Sequence, residues 1–226
     1  MPENLTIWME IIFDIAYLIT VWTFVYLMFR NQNKVKEQDN TVAKLFRWMF
    51  FLLALGDTGH VGFRVVAYAS GPLENSPILV GLGSLATAYT VTIFYMVLVE
   101  VWRQRFQKQR NVLYYGLMGI GVFRLFFMAL PGNHWGQVLP PQPMGIYRNI
   151  PLMLLGIAIM ILILLDAKST QDKTFLWIGF CIFLSYLFYT PVILFVNLVP
   201  MLGMLMIPKT LAYVAIAIIG YKKLYQ

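Results

Sequence analysis

The sequence predicts an all-α integral membrane protein: a bundle of seven transmembrane helices with its N-terminus outside and its C-terminus in the cytoplasm. The first observation is composition, because the 226-residue chain is 60% hydrophobic and only 12% charged, whereas about a quarter of the residues of a soluble domain are charged. The second is a series of seven apolar segments, each near the ~20 residues that a helix needs to cross a bilayer. The third is the placement of basic residues in alternate connections, which predicts the orientation.

The apolar segments are separated by short polar or proline-containing connections. They cover approximately residues 6–30, 44–69, 77–102, 112–130, 146–166, 174–198 and 202–222. Because these segments occupy most of the chain, no room remains for a second folded domain. We therefore expect residues 1–226 to form a single seven-helix membrane domain.

Lysine and arginine accompany the first, third and fifth connections and the C-terminal tail, and the other three connections contain neither. The basic residues are Arg30, Lys34, Lys36, Lys44, Arg47, Arg103, Arg105, Lys108, Arg110, Lys168, Lys173, Lys222 and Lys223. Since cytoplasmic connections are enriched in Lys and Arg, the N-terminus is expected outside, in a plasma (cytoplasmic) membrane. The same placement explains the net charge of +7 without a nucleic-acid partner, and the lipid bilayer is the expected partner.

The second segment carries three ionisable residues on one helical face: Asp57, His60 and Arg64 lie at i, i+3 and i+7,. The first segment carries Glu10 and Asp14 at i and i+4. At about 1.5 Å per residue, Glu10 lies level with Arg64, and Asp14 with His60, if the two helices are antiparallel neighbours. Because a charge inside a bilayer costs several kcal/mol, such residues usually face a bundle interior or a wet cavity. We therefore predict that these two pairs face each other.

Two further cations are predicted in the outer half of the bundle. Arg124 lies past the middle of the fourth segment and needs a partner, for which the acids of the first two segments are the only plausible ones. Lys209 lies about 20 Å along a helix from Lys222. The predicted ligand-binding residues are Glu10, Asp14, Asp57, His60, Arg64, Arg124, Lys209, Tyr186 and Tyr189.

This mixture of acids and bases suits a small anionic or zwitterionic molecule or a lipid headgroup, because arginine can grip a carboxylate or phosphate with two hydrogen bonds. We expect an outward-opening intramembrane pocket of a receptor-like or transporter-like protein. The sequence identifies neither a catalytic residue nor a cofactor, and binding is expected rather than catalysis. In an alternative hypothesis the protein is a structural subunit, whose charges pair with one another or with a membrane partner subunit.

A second alternative is an intramembrane metal-dependent hydrolase of lipids or amides. His60, Asp57 and Asp14 could supply nitrogen and oxygen ligands, and the metal would lower the pKa of a bound water. Seven-span hydrolases of the ceramidase and adiponectin-receptor type combine a histidine in the second span with two in the last. Here the last span, MLMIPKTLAYVAIAIIGY, contains no histidine.

The sixth and seventh segments support a third alternative. FYTPVILFV contains a Tyr–x–Pro pattern, and PKTLAYVAIAIIGYKK contains a single deep lysine. With an outside N-terminus, these features resemble those of microbial rhodopsins. The resemblance implies a retinal-binding protein with Lys209 as the Schiff-base lysine, and with Asp57, Asp14 or Glu10 as the counterion.

Overall fold

The computed structural model describes residues 3–138 and 141–226, and this part of the chain is 85% helical and contains no strand. Its α-helices are α1 (Glu3–Arg30), α2 (Asn40–Ala69), α3 (Pro77–Arg105), α4 (Val112–Met128), α5 (Met144–Tyr147), α6 (Ile150–Ser169), α7 (Lys173–Phe195) and α8 (Met206–Tyr225). Six of the described helices are long and apolar enough to cross a membrane, and α4 is a shorter apolar helix of 17 residues. The chain is an apolar helical bundle, consistent with a multi-pass membrane protein.

The fifth and seventh predicted segments start later in the structure than expected. A short α5 precedes α6, which begins at Ile150 with Pro151 in its first turn, and a 3-10 turn at Pro200–Leu205 precedes α8. Proline fits a first helical turn because it has no N–H to leave unpaired there. Apolar composition alone does not mark the start of α8, since the preceding residues Pro200–Leu205 are equally apolar. Lys209 consequently lies in the first turn of α8.

The short helix α4 runs antiparallel to α3 along most of its length. The hydroxyl group of Tyr114 donates to Glu100 at 2.9 Å, and, several turns away, the hydroxyl group of Tyr89 donates to the carbonyl of Leu125 at 3.2 Å. The 17 residues of α4 span about 26 Å, close to the ~30 Å hydrocarbon thickness of a bilayer.

The connections that carry basic residues meet at one end of the bundle. We call this the basic end (residues 31–39, 106–111, 170–172 and the C-terminus) and the opposite end the loop end (residues 70–76, 129–149 and 196–205). Arg105 forms ion pairs with Asp39 at 2.7 Å and with Asp172 at 2.8 Å, which joins the starts of α2 and α7 to the end of α3. The hydroxyl group of Tyr225 donates to the carbonyl of Ala43 at 2.6 Å and fixes the end of α8.

Among α1, α2, α3 and α8, the tightly packed core lies in the half of the bundle nearer the basic end. Phe46, Phe50 and Phe94 are fully buried there and pack edge to face or at a tilt. Toward the loop end, by contrast, residues 8–16 of α1 and 206–211 of α8 include none that is buried. Packing between α1 and α8 is therefore looser in the half of the bundle that carries the predicted polar residues.

Candidate functional site

Asp57 lies inside the bundle, where two hydroxyl groups hold its carboxylate. The hydroxyl group of Tyr17 donates to Oδ2 at 2.6 Å, and that of Thr87 donates to Oδ1 at 2.7 Å. The donors belong to α1 and α3, so Asp57 connects three helices. Because both oxygens accept a hydrogen bond, the half-buried carboxylate is stabilised by these two hydroxyl groups,.

Glycines bring α2 and α3 close enough for Thr87 to reach Asp57. A Cβ atom on Gly56 would overlap the side chain of Thr90, and one on Gly83 would lie 3.1 Å from the backbone of His60. Small residues at helix contacts allow such close approach in membrane proteins. Helices α2 and α3 therefore pack closely together, and this contact determines where the acidic and basic side chains of α2 lie.

The predicted pair of Glu10 and Arg64 is confirmed. Nη2 of Arg64 lies 2.8 Å from Oε1 of Glu10, and the two side chains are 28% and 37% exposed. The guanidinium group of Arg64 also lies 6.0 Å from the centre of the Tyr68 ring. The pair joins the loop ends of α1 and α2 and remains partly accessible.

The second predicted pair, Asp14 with His60, is wrong. His60 is oriented toward α3, where its ring interacts with the backbone of Gly83, and its Nδ1 atom is buried without a hydrogen-bond partner. Within the described ranges Asp14 forms no ion pair or hydrogen bond, although Glu10, Arg64 and Asp57 lie within electrostatic range. The rise per residue along a helix predicts the level of each residue in the bundle, but it does not determine the direction in which each side chain points.

Lys209 interacts with aromatic rings instead of an acid. Its Nζ atom lies 4.2 Å from the centre of the Tyr189 ring and 5.9 Å from that of Tyr213. A cation over an aromatic face is attracted to the negative face of the ring. Lys209 makes no ion pair with any residue that the structure describes, and it lies within electrostatic range of His60.

Arg124 is only 2% exposed, and the predicted acidic partner for it is wrong. Its Nη1 atom donates to the carbonyl of Ala88 at 2.9 Å and to the hydroxyl group of Thr92. Its Nε atom donates to the carbonyl of Arg148 at 2.9 Å, and Nη2 donates to Oδ1 of Asn149 at 3.3 Å. A guanidinium group has five N–H donors in a fixed fork, so it can be satisfied by several neutral acceptors. Arg124 thus connects α3, α4 and the start of α6.

Tyr186 belongs to the core, whereas Tyr189 lies between the core and Lys209. The Tyr186 hydroxyl group donates to the carbonyl of Leu152 at 3.0 Å, and a Cβ on Gly156 would overlap its ring. The Tyr189 hydroxyl group reaches Oδ1 of Asn149 at 3.5 Å. Tyr186 therefore has a packing role, and Tyr189 is the residue of this pair that faces the cation of α8.

The structure thus separates the predicted site residues into two groups, with Tyr189 between them. One group lies among α1, α2 and α8, and we call it the polar cluster: Glu10, Asp14, Asp57, His60, Arg64 and Lys209. Arg124 and Tyr186 belong instead to the hydrogen-bonded core of α3, α4, α6 and α7.

The neighbours that sequence analysis left out of the site are Tyr17, Thr87 and Tyr213. Their helical spacing could have indicated two of them, because Tyr17 is three residues after Asp14 and Tyr213 is four after Lys209,.

Two surface cavities lie outside the polar cluster. One, of about 580 Å³, is an apolar groove that follows α1 from Ile15 to Tyr26 and is bordered by Thr58 of α2. The Trp22 side chain lines this groove, and its indole N–H donates to the Thr58 hydroxyl group at 2.9 Å. The other, of about 650 Å³, lies at the basic end. None of the polar-cluster residues lines the groove, but its lining residues Ile15 and Thr58 directly follow Asp14 and Asp57 in the sequence, so the groove begins near the cluster.

The geometry does not support the metal-site or retinal alternatives. No three His, Cys, Asp or Glu side chains in residues 3–138 and 141–226 are arranged to hold a metal ion, so His60, Asp57 and Asp14 do not form the predicted ligand set. In the same ranges, none of the three proposed counterions forms an ion pair with Lys209. Both oxygens of Asp57 accept hydrogen bonds from hydroxyl groups instead.

Comparison with known proteins gives no relative: no protein-family model, no curated protein and no solved structure matches this chain.

Proposed function

We propose that the chain is a seven-span membrane protein, with its N-terminus outside, that binds a small zwitterionic molecule or lipid headgroup at the polar cluster. The observation that carries this proposal is the set of ionic and polar groups that have no ion-pair or hydrogen-bond partner within the described ranges. These are the carboxylate of Asp14, the Nδ1 atom of His60 and the ammonium group of Lys209. They lie in the loosely packed half of the bundle.

Groups of this kind are costly without a partner. A buried polar atom without a hydrogen bond costs roughly 1–3 kcal/mol, and a charge inside a membrane costs several kcal/mol more. A ligand with one positive and one negative group would compensate both Asp14 and Lys209. The Glu10–Arg64 pair, which already neutralises itself, would border the site without changing its net charge.

The apolar groove beside Asp14 favours an amphiphilic ligand. It extends from Ile15 to Tyr26, about 16 Å along the helix axis. A lipid chain in this groove would run along the surface of α1 while its headgroup reached the polar cluster. A zwitterionic phospholipid such as phosphatidylethanolamine combines the required ammonium and phosphate groups. The function is then that of a receptor-like or transporter-like lipid-binding protein.

Native mass spectrometry of the protein extracted in a mild detergent tests this proposal. The wild-type protein is expected to retain an additional small-molecule or lipid mass, and the double variant Asp14→Asn/Lys209→Met is expected to lose it. The matched control is Glu37→Gln/Lys44→Met, which also removes one acid and one base, both exposed and far from the polar cluster. The control should retain the ligand.

A thermal titration gives a second, independent readout. Phosphatidylethanolamine is expected to raise the unfolding midpoint of the wild-type protein and of the control, but not that of Asp14→Asn/Lys209→Met. The same retained mass in all three proteins, or the same thermal response, would show that the polar cluster does not bind the ligand.

A further inference from the structure

The cavity at the basic end has a chemistry unlike that of the polar cluster. It encloses about 650 Å³ between the last turn of α3, the turn before α7 and the last turns of α8. Its lining is mainly polar and includes Arg105, Gln107, Lys173, Thr174 and Lys223. Three of the nine lining side chains are cationic and one, that of Asp172, is acidic, so the cavity carries a net positive charge and is a candidate site for an anion.

The cations of this cavity differ in whether protein acids neutralise them. Arg105 lies between Asp39 and Asp172, at 2.7 Å and 2.8 Å, and so carries no surplus charge. Lys173 and Lys223 form no ion pair with any residue in the described ranges. The two lysine ammonium groups therefore give the cavity its excess positive charge.

The start of α7 does not itself supply the anion site. Oδ1 of Asp172 accepts hydrogen bonds from the backbone N–H groups of Thr174 and Phe175, each at 3.1 Å. These donors, which elsewhere bind phosphate at a helix N-terminus, are already occupied. Recognition has to come from side chains: the two lysines, the amide of Gln107 and the hydroxyl group of Thr174.

We propose that this cavity binds a phosphate group. Two ammonium groups beside neutral hydrogen-bond donors match a phosphate ester, which offers several acceptor oxygens and one or two negative charges. The cavity lies at the end of the bundle where helices meet the basic connections, the level at which anionic lipid headgroups attract Lys and Arg. The phosphate can come from an anionic phospholipid or from a soluble phosphate compound, and the site chemistry is the same for both. This proposal is independent of the ligand at the polar cluster.

The test compares two double variants that remove the same charge. Lys173→Gln/Lys223→Gln removes the two cavity lysines, and Lys44→Gln/Lys222→Gln removes two exposed lysines of the same end that do not line the cavity. Lys222 and Lys223 are adjacent in sequence, so the comparison separates the cavity from the general charge of the surface. The unfolding midpoint of each full-length protein in detergent is followed by tryptophan fluorescence with phosphatidylglycerol, phosphatidylcholine or inorganic phosphate added.

With phosphatidylglycerol at about 100 times its Kd, the Tm of the wild-type protein and of the control is expected to rise by roughly 5–10 °C. The cavity variant should show a loss of affinity of roughly five-fold for each lysine, on the scale of one basic residue beside an anionic headgroup. If inorganic phosphate produces the same cavity-dependent rise and phosphatidylglycerol does not, the site is confirmed and its ligand is soluble. An equal response in both double variants, or no rise with either phosphate source, overturns the proposal.

Discussion

Arg124 is a buried cation that is stabilised by neutral acceptors from three parts of the chain. We expect Arg124→Lys to lower the free energy of unfolding by roughly 2–4 kcal/mol, because one ammonium group cannot reach the acceptors that the guanidinium fork connects. The Tm should fall by about 5–10 °C in a detergent melt. Arg110→Lys is the control, since Arg110 is 56% exposed and lies 3.7 Å from Glu100. Similar small losses in both variants would argue against a structural role for Arg124.

At the residue scale, the contribution of the Glu10–Arg64 ion pair to stability can be measured with a double-variant cycle. Arg64→Leu is expected to cost roughly 1–2 kcal/mol, because Glu10 is left without its partner in a partly buried position. Adding Glu10→Gln should restore most of that stability, since the unpaired charge is then removed. The measurement compares the Tm values of the wild-type protein, Arg64→Leu, Glu10→Gln and the double variant. A double variant no more stable than Arg64→Leu would mean that Arg64 is stabilised by something other than Glu10.

At this scale the sequence predicts depth and face better than it predicts partners. Glu10 and Arg64 were paired correctly because both lie on the facing sides of adjacent helices at the same level. Asp14 and His60 share a level too, but His60 is oriented toward α3. Arg124 was assigned an acid, but two of its four acceptors are backbone carbonyls, which leave no signal in the sequence, and the other two are the neutral side chains of Thr92 and Asn149.

At the scale of helices, the contact between α2 and α3 depends on glycine at specific positions. We expect Gly56→Ala to lower the free energy of unfolding by roughly 1–3 kcal/mol, because the added methyl group would overlap Thr90 and force the helices apart,. Gly62→Ala, in the same helix, places its methyl group in open space and should not destabilise the protein,. Thermal melts of the two variants make the comparison, and equal effects would contradict a tight α2–α3 contact.

The number and approximate position of the long helices follow from apolar length, but helix ends do not. Helix α2 begins at Asn40, four residues before its predicted start at residue 44. Helix α8 begins at Met206, four residues after its predicted start at residue 202. Backbone hydrogen bonding and proline position determine these ends, and neither changes the apolar content of the segment. The short α5 was missed because four residues are too few to produce a periodic pattern,.

At the scale of the whole molecule, charge is distributed very unequally between the two ends. Thirteen of the 17 Lys and Arg residues, and five of the 10 Asp and Glu residues, lie at the basic end or within about two helical turns of it, which leaves a net charge of +8 in this part of the molecule. The remaining residues carry four positive and five negative charges. The five acids form ion pairs with some of these cations, such as Asp166 with Lys108 at 2.8 Å, but the excess of eight positive charges remains. By the positive-inside rule this asymmetry favours a cytoplasmic basic end.

Cysteine labelling tests that orientation, because the only native cysteine, Cys181, is buried in α7 and can be replaced by alanine. In this background Asn75→Cys places a thiol at the loop end, and Gln109→Cys places one at the basic end; both positions are exposed. In intact cells a membrane-impermeant maleimide is expected to label Asn75→Cys alone, and Gln109→Cys should react only after permeabilisation. Since a polar cluster at the loop end opens outward only in this orientation, the reverse labelling pattern would place the proposed ligand site on the cytoplasmic side.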